Sequence, residues 1–358
     1  MGAMKKYRFT CAALTAAALL AAFPPPSAAE VGKTSCLTEK AVQYKSVEIS
    51  ASISAKYDNP YDPSQIEVSA SITSPSGKKL IVPSFHSSGS SWITRFTPVE
   101  TGKYSYAISE KSSGTASSSP SYNIDVTPGE GDGFIRKCGA NPYYLKFDSG
   151  RPFFGLGHNI GWVPGDKAHT FEQYFKLFRE NGCNLTRVWM NVPWAMPFEM
   201  DKLGRYSEGT ARNIDALIKA SEKYGVYIIL VFDSYSTLMA ETGPWGEESW
   251  ADNPYNSKKG GPCKEPQDFF TDNAAKIYYK NRVRYIMARW GYSPNIIAFE
   301  LWNEFDAPAG WVAEMAAYIR SINPHGQLVT TSMGYPWSNN FEESDVWKTG
   351  GLDFIDYH

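Results

Sequence analysis

The sequence predicts an antiparallel β-sandwich followed by a parallel α/β domain. In residues 40–127, apolar and polar residues alternate in short segments separated by turn signals, a pattern typical of strands with one buried face. From Phe134 onward, apolar runs alternate with longer amphipathic stretches, which is typical of parallel strands linked by helices. Residues 128–133 are rich in Pro and Gly, and we interpret them as a linker between the two regions.

Residues 1–29 have the pattern of a secretory signal peptide. A basic start precedes an apolar run from Cys11 to Phe23, and small residues that suit cleavage end at Ala29. The run is shorter than the about 20 residues that a membrane span needs. We therefore expect cleavage after Ala29 and a secreted or periplasmic protein that is not held in a membrane.

The composition favours a neutral partner over a charged polymer. The formal net charge is −2, from 35 basic and 37 acidic residues, and the basic residues form no cluster. Nucleic acid and anionic membrane surfaces are therefore not expected partners. The chain has 11 Trp and 22 Tyr, whose flat faces pack well against the C–H faces of sugar rings. We expect a polysaccharide or oligosaccharide partner, and the composition leaves the oligomeric state open.

The first region, predicted over residues 36–127, contains clear alternating segments at 47–51, 66–72, 92–96 and 104–108. Their spacing and a length near 100 residues match an immunoglobulin-like sandwich. The Ser-rich stretch from Ser112 to Pro120 is predicted to be an exposed loop, and residues 31–130 are expected to fold on their own. Cys36 and Cys138 flank the region, so a disulfide between them would close it.

The second region, residues 134–358, is predicted to form a (β/α)8 barrel. Candidate strands are 153–156, 185–190, 226–232, 296–301, 328–330 and 354–357, and candidate helices lie near 170–181, 208–224, 268–290 and 309–322. A doubly wound sheet is less favoured, because the glycines from Gly155 to Gly161 match a phosphate-binding turn only loosely. Six strands fit where a barrel has eight, so we expect a truncated barrel that lacks roughly 60 to 90 residues.

The strongest chemical signal is an apolar strand, Ile296 to Leu301, that runs into Trp302, Asn303 and Glu304. This motif resembles the fourth strand of clan A glycoside hydrolases, such as the family 5 cellulases and mannanases. The resemblance implies that Glu304 is the general acid/base and that Asn303 bonds the sugar 2-hydroxyl. Glycosidic bond cleavage needs a second carboxyl as well, and the resemblance places that nucleophilic Glu beyond residue 358.

Other positions resemble the same clan. Arg187 resembles the second-strand arginine that holds the nucleophile ionised, although an ion pair with the strand-borne Glu300 is an alternative. His358 resembles the histidine that ends the sixth strand. Asp233 follows the third strand, where family 5 often has His. The residues expected to bind substrate are His158, Asn159, Trp162, Trp194, Asp233, Trp302 and His358, with Trp245 and Trp250 as further candidate platforms.

Several chemistries find no support in the sequence. There is no Cys-x-x-Cys pair, no Gly-x-Ser-x-Gly turn and no phosphate-binding loop, so no metal or cofactor is predicted. Residues 92–106 resemble the domain of unknown function 5060 that precedes such barrels. The resulting hypothesis is a secreted retaining glycoside hydrolase acting on a β-linked glycan. The alternatives are a non-catalytic carbohydrate-binding or scaffolding protein, and, more weakly, a lyase with Tyr357 as base.

Overall fold

The computed structural model describes residues 30–112, 114–240, 249–334 and 344–357. The predicted signal peptide, Trp245 and His358 lie outside these residues. No helix in the described ranges is both long and apolar enough to cross a membrane.

The first region consists of two sheets that share one core. One sheet has the strand order β1-β3-β7-β6, and the other has the order β2-β10-β8-β4-β5 with β9 paired to β8. Every second residue of β3 and β4 is buried, and Val47 and Ile49 of one sheet enter the same core cluster as Val68 and Ile72 of the other. The strands are β1 Glu30–Cys36, β2 Ala41–Val42, β3 Val47–Ser54, β4 Ile66–Thr73, β5 Lys79–Pro83, β6 Phe85–Ser88, β7 Ser91–Phe96, β8 Gly102–Ser112, β9 Thr115–Ser118 and β10 Tyr122–Thr127.

The four alternating segments are confirmed as strands, but two other predictions for this region are wrong. The Ser-rich stretch is not a loop throughout, because Thr115–Ser118 pairs antiparallel with the end of β8. Serine has a low intrinsic preference for strands, and cross-strand pairing overrides it here. Cys36 and Cys138 are free thiols and form no bridge, and the Cys36 Sγ instead donates to the Thr38 carbonyl oxygen at 3.5 Å.

The second region is built on a parallel sheet of order β14-β15-β16-β17, beside which β18 and β19 also pair in parallel. The α1 and α2 helices begin at the side-chain caps Asp166 and Ser207, and α2 ends at Gly225 in the left-handed conformation. The elements are β11 Ile135–Lys137, β12 Leu145–Phe147, β13 Pro152–Phe153, α1 Lys167–Glu180, β14 Leu185–Trp189, α2 Glu208–Tyr224, β15 Tyr227–Ser234, α3 Asp268–Thr271, α4 Asn273–Trp290, β16 Ile296–Asn303, α5 Ala309–Ile322, β17 Leu328–Thr330, β18 Ser332–Met333 and β19 Asp356–Tyr357.

The predicted first parallel strand, 153–156, is wrong. Pro152–Phe153 pairs antiparallel with β12 in a separate three-stranded sheet, and only Gly157 makes a parallel bridge to Leu185. A Cβ at Gly157 would lie 1.8 Å from the Leu185 carbonyl oxygen, so glycine permits a backbone approach that no side chain would allow. The glycines that bring the chain this close also leave it few side chains with which to build a strand.

The two faces of the parallel sheet have different surroundings. Val188 and Leu230 belong to the large core that the sheet shares with the helices. Ile229 and Val231 flank Leu230 along β15, and they belong to smaller clusters on the opposite face. Arg187 alternates with Val188 and therefore points away from the helices.

Candidate active site

Glu304 lies where β16 ends and the chain turns away from the sheet. Asn303 is fully buried, whereas Glu304 is only partly buried. Glu304 has φ +53°, in the left-handed region that non-glycine residues rarely adopt. Such a conformation costs on the order of 1–3 kcal/mol and is typical of functional sites, where the surrounding structure enforces it.

A chain of polar contacts links Glu304 to the interior of the sheet. The Arg187 guanidinium donates to both carboxylate oxygens of Glu300, at 2.9 and 2.5 Å, and to the Asn303 Oδ1 at 3.0 Å. Asn303 in turn donates from Nδ2 to the Glu304 Oε2 at 3.2 Å. Asp356 approaches the same guanidinium, with its Oδ2 3.2 Å from Nε. Arg187 therefore orients the amide that touches Glu304, and the ion pair with Glu300, left open by the sequence, is present.

The charges in this group are mutually compensating. Burial opposes the charge of Arg187, but Glu300 and Asp356 outweigh that effect and raise its pKa above the ordinary value. Burial also raises the pKa of Glu300, and the guanidinium works against that rise. Two hydrogen bonds to the guanidinium favour the charged carboxylate, so we treat the pair as ionised.

Two exposed tryptophans lie together near the C-terminal end of β14. Trp162 and Trp194 are 47% and 45% exposed, and their rings meet edge to face at 6.2 Å between centroids. Trp162 also packs on Trp189, the last residue of β14, at 4.9 Å. The structure thus brings together two of the predicted substrate-binding aromatics.

Trp302 and Trp250 do not have the predicted exposure. Trp302 is completely buried and packs against Phe269, Phe305 and Trp311. Trp250 is 6% exposed and belongs to the same core. Neither ring presents a face to a ligand, so the prediction that they bind sugar is wrong. Alternation along a strand gives no information about a residue at the strand's end, where the chain is about to leave the sheet.

Asp233 is not available to a substrate either. Its carboxylate is buried, accepts from the Asn191 Nδ2 at 2.8 Å, and forms an ion pair with Arg282 of α4. Arg282 also contacts Glu199, so the cluster holds two carboxylates around one guanidinium. The substrate-binding prediction for Asp233 is wrong, because its side chain joins β15 and the loop after β14 to helix α4.

His158 and Asn159 follow the Gly157 bridge and are both exposed. The His158 ring lies 5.0 Å from that of Phe178 in α1, on the helix side of the sheet and away from Arg187. The His158 ring therefore packs beside α1, and the substrate-binding roles of His158 and Asn159 stay predictions. The predicted role of His358 lies outside the described residues.

Ser332 and Gly334 were not singled out in the sequence, yet both touch Glu304. The Ser332 hydroxyl oxygen accepts the Glu304 backbone N–H at 3.0 Å. A Cβ at Gly334 would lie 2.8 Å from the Glu304 Cγ. Both residues come from the segment after β17, and only the packing of β18 beside β16 brings them to the site.

Two family models match parts of this chain. Residues 148–346, more than half of the chain, match the family model described as Cellulase (glycosyl hydrolase family 5). Residues 40–111 match the model of a domain of unknown function, DUF5060.

Individual relatives are more distant. The chain is 25% identical to mannan endo-1,4-beta-mannosidase 7 of Arabidopsis thaliana over 62% of its length, and 26% identical to mannan endo-1,4-beta-mannosidase 4 of Oryza sativa subsp. japonica over 67%. It spans 54% of the length of each of these two relatives. A provisionally assigned glycoside hydrolase from Bacteroides vulgatus ATCC 8482 shares the fold with a TM-score of 0.64 at 15% identity, over 89% of this chain and 60% of that one.

The family model spans β14 to β17 and includes Arg187, Asn303 and Glu304, the residues whose pattern carried the resemblance. The buried Asp233, where a histidine is frequent, is thus a variation within the family and not a sign of a different one. The chain belongs to the cellulase family, glycosyl hydrolase family 5.

Proposed function

We propose that the protein hydrolyses a β-linked polysaccharide with retention of anomeric configuration, and that Glu304 is its general acid/base. The observation that carries the proposal is the contact chain from Glu300 through Arg187 and Asn303 to Glu304. These contacts hold the partly exposed Glu304 carboxyl at the C-terminal end of the parallel strand β16. Barrel enzymes hold their catalytic groups at that end of their strands.

Each residue has a distinct part in the proposed reaction. Glu304 gives its proton to the glycosidic oxygen as the bond to the leaving sugar breaks, and then takes a proton from the water that attacks the intermediate. Asn303 orients the Glu304 carboxyl, and Arg187 holds Asn303. Trp162 and Trp194 supply flat apolar faces for sugar rings.

A retaining reaction also needs a nucleophilic carboxylate about 5 Å from the acid. We propose that a glutamate C-terminal to residue 358 supplies it and that the parallel sheet is part of a (β/α)8 barrel. In support, the face of the sheet opposite the helices, which also carries Arg187, contributes the apolar residues Leu185, Ile229 and Ile297 to the lining of a cavity of about 640 Å³. Further strands of a barrel would cover such a face. We also propose an immunoglobulin-like fold for the first region, and export directed by residues 1–29.

Mannan is the first substrate to test, since two relatives carry mannan endo-1,4-beta-mannosidase as their names. The experiment uses the full gene product that contains this chain, with 1,4-β-mannan and 1,4-β-glucan oligosaccharides and the matching 2,4-dinitrophenyl β-glycosides. Proton NMR during hydrolysis should show the β-anomer as the first product. An initial α-anomer would refute the retaining mechanism, and binding without turnover would favour the non-catalytic alternative.

Glu304→Ala tests the assigned residue. We expect kcat/KM on an oligosaccharide to fall about 10²- to 10⁴-fold, because its leaving group needs protonation. The value for the dinitrophenyl glycoside should change little, because that leaving group needs none. Azide should raise turnover of the variant and yield the β-glycosyl azide. The control is Glu314→Ala, which removes a carboxylate bound to Lys276 and Lys280 on the helices and should behave as wild type. Unchanged oligosaccharide hydrolysis by Glu304→Ala would refute the assignment.

A further inference from the structure

Ser332, the first residue of β18, is fully buried and meets three groups of the candidate site. Its Oγ accepts from the Glu304 backbone N–H at 3.0 Å and from the Arg187 Nη2 at 3.3 Å, and it donates to the Trp302 carbonyl oxygen at 3.2 Å. A serine hydroxyl has one donor and two acceptor positions. These three contacts fill one donor and two acceptor positions, and the hydroxyl also lies close enough to the Glu300 carboxylate to counter the rise of the Glu300 pKa.

The contacts fall where the backbone is strained. Glu304 follows β16 with φ +53°, and its backbone N–H donates to the Ser332 side chain instead of a strand carbonyl oxygen. Ser332 receives this N–H through its side chain and the next one, from Phe305, through its carbonyl oxygen at 3.2 Å. One residue therefore satisfies two successive backbone donors at the turn, which offsets part of the cost of the left-handed conformation.

The same segment leaves room for the carboxyl side chain. Gly334 lies so close to Glu304 that an added Cβ would be 2.8 Å from its Cγ and 3.0 Å from its Cβ. Real contacts of this kind are longer, so any side chain at position 334 would displace Glu304. Ser332 thus fixes the backbone of Glu304, while Gly334 leaves open the direction that its side chain takes.

We infer that Ser332 is a positioning residue: its hydroxyl locks the Glu304 backbone to the Arg187 guanidinium and so sets the direction of the acid/base carboxyl. Gly334 leaves the space that the Glu304 side chain occupies. The inference rests on the proposed function of Glu304. A misdirected carboxyl protonates the glycosidic oxygen poorly, and a displacement of about 1 Å is able to cost on the order of 10²-fold in rate.

The test compares Ser332→Ala and Ser332→Thr in the full gene product. Ser332→Ala should lower kcat/KM for oligosaccharides about 10- to 100-fold and leave kcat/KM for the dinitrophenyl glycoside within about threefold of wild type. Ser332→Thr keeps the hydroxyl and should recover most of the loss. Thr330→Val is the control, since Thr330 is equally buried and its hydroxyl bonds the Phe354 carbonyl oxygen, not Glu304. It should lose stability without selective loss toward the oligosaccharide.

Gly334→Ala is a second probe that removes no hydrogen bond and should give the same selective loss. Its control is Gly139→Ala, where an added Cβ meets nothing within 4 Å. If Ser332→Ala does not fold, Ser332→Cys replaces it, since a thiol of similar size bonds weakly and should show a smaller loss of the same kind.

Three outcomes would overturn the inference. One is an equal fall for both substrates in Ser332→Ala, and another is the same selectivity in Thr330→Val. The third is wild-type kinetics in both Ser332→Ala and Gly334→Ala. Glu304→Ala distinguishes a failure of this inference from a failure of the proposed function. If Glu304→Ala loses activity toward oligosaccharides but not toward the dinitrophenyl glycoside, while the Ser332 variants show no such difference, only the positioning role is wrong.

Discussion

Glu304 shows how far local sequence determines a site. Its place at the end of an apolar strand, after Asn303, follows from a contiguous motif and was predicted, as was a buried Arg187 that needs a partner. The left-handed backbone of Glu304 and its contacts with Ser332 and Gly334 were not. They depend on a segment some thirty residues away, and nothing in the sequence around Ser332 distinguishes it from other buried serines.

Asp233 illustrates the opposite error, in which a correct position was given the wrong direction. The residue does lie near the end of β15, but its carboxylate turns toward Arg282 instead of the substrate side. A strand pattern fixes which residues reach the end of a sheet and says little about where the last side chains point. A buried arginine in a helix, Arg282, was the missing partner, and amphipathic periodicity alone did not indicate that it enters the core.

Asp233→Ala should therefore act on stability and not on substrate binding. Removing Asp233 leaves Arg282 paired with Glu199 alone and leaves the buried Asn191 amide without its acceptor, and we expect a loss of about 3 kcal/mol in the free energy of unfolding. Urea titration measures this loss, and KM for oligosaccharides should change less than about threefold, because the Asp233 carboxylate is buried and Asn191 keeps its own bonds to the Phe198 and Glu199 N–H groups. Glu172→Ala, which breaks an exposed pair with Lys223, is the control and should change stability little. A large rise in KM at unchanged stability would restore the substrate-binding role.

Among the elements, helices were predicted best and short strands worst. Helix α2 has its predicted bounds, 208–224, because a Ser cap and a terminal glycine mark both ends in the local sequence. By contrast, β5, β6 and β9 have four or five residues each and gain their order from neighbouring strands. The parallel strands β14, β15 and β16 lie between these extremes, since their apolar runs were evident while the pairing of Pro152–Phe153 depended on a distant partner.

The segment between β14 and α2 carries Trp194 and is held in place by hydrogen bonds to two buried side chains, Asn191 and Glu199. The Asn191 Oδ1 accepts the backbone N–H groups of Phe198 at 3.3 Å and Glu199 at 3.1 Å, and the Glu199 carboxylate accepts the Gly204 N–H at 2.8 Å. Asn191 and Glu199 are in turn tied to the Asp233–Arg282 pair. A platform held in this way loses little conformational freedom when a sugar binds.

Trp194→Ala should weaken the binding of longer substrates. Losing one stacked ring costs roughly 1–2 kcal/mol, which corresponds to an about 5- to 30-fold rise in KM for mannan oligosaccharides. The kcat value should remain near wild type, because the ring lies apart from Glu304 in the contact chain. Initial rates on a series of chain lengths provide the measurement, with Tyr174→Ala on α1 as an exposed aromatic control. Equal effects of the two variants would argue against a platform at Trp194.

At the scale of the whole molecule, the two regions are joined by partly buried polar contacts and by apolar packing. Arg95 of β7 binds Asp215 of α2 at 2.9 Å, and Arg289 of α4 binds the same carboxylate at 2.7 Å. Phe85 of the first region belongs to the core of the second. The expectation that residues 31–130 fold alone came from their self-contained strand pattern, which gives no sign of this interface. The structure argues instead for coupled unfolding, since separating the regions would break the Arg95–Asp215 contact and expose Phe85 to water.

His325 lies in the same interface and gives it a dependence on pH. The imidazole is buried, its Nε2 accepts the Thr97 backbone N–H at 3.2 Å, and its ring stacks on Phe134 at 4.7 Å. Burial, together with the nearby Arg136 and Lys78, lowers the pKa of His325 from 6.5 to about 3. The neutral ring is therefore the form that the fold requires, because a proton on Nε2 would remove the acceptor for Thr97.

This lowered pKa of His325 predicts that acid weakens the protein from about pH 6.5 downward. The unfolded chain takes up a proton at this histidine as pH falls below 6.5, whereas the folded chain does so only near pH 3. The stabilisation is therefore complete above pH 6.5 and is lost as pH falls toward 3, by roughly 1.4 kcal/mol per pH unit. In His325→Gln, whose amide oxygen is able to accept the Thr97 N–H, this loss should be absent. Urea midpoints from pH 7.5 to 4.5 should fall more steeply for wild type and for the exposed control His169→Gln than for His325→Gln. Carboxylates that titrate in the same range affect all three proteins alike, so the difference between slopes isolates the histidine, and parallel slopes would mean that His325 does not couple the interface to pH.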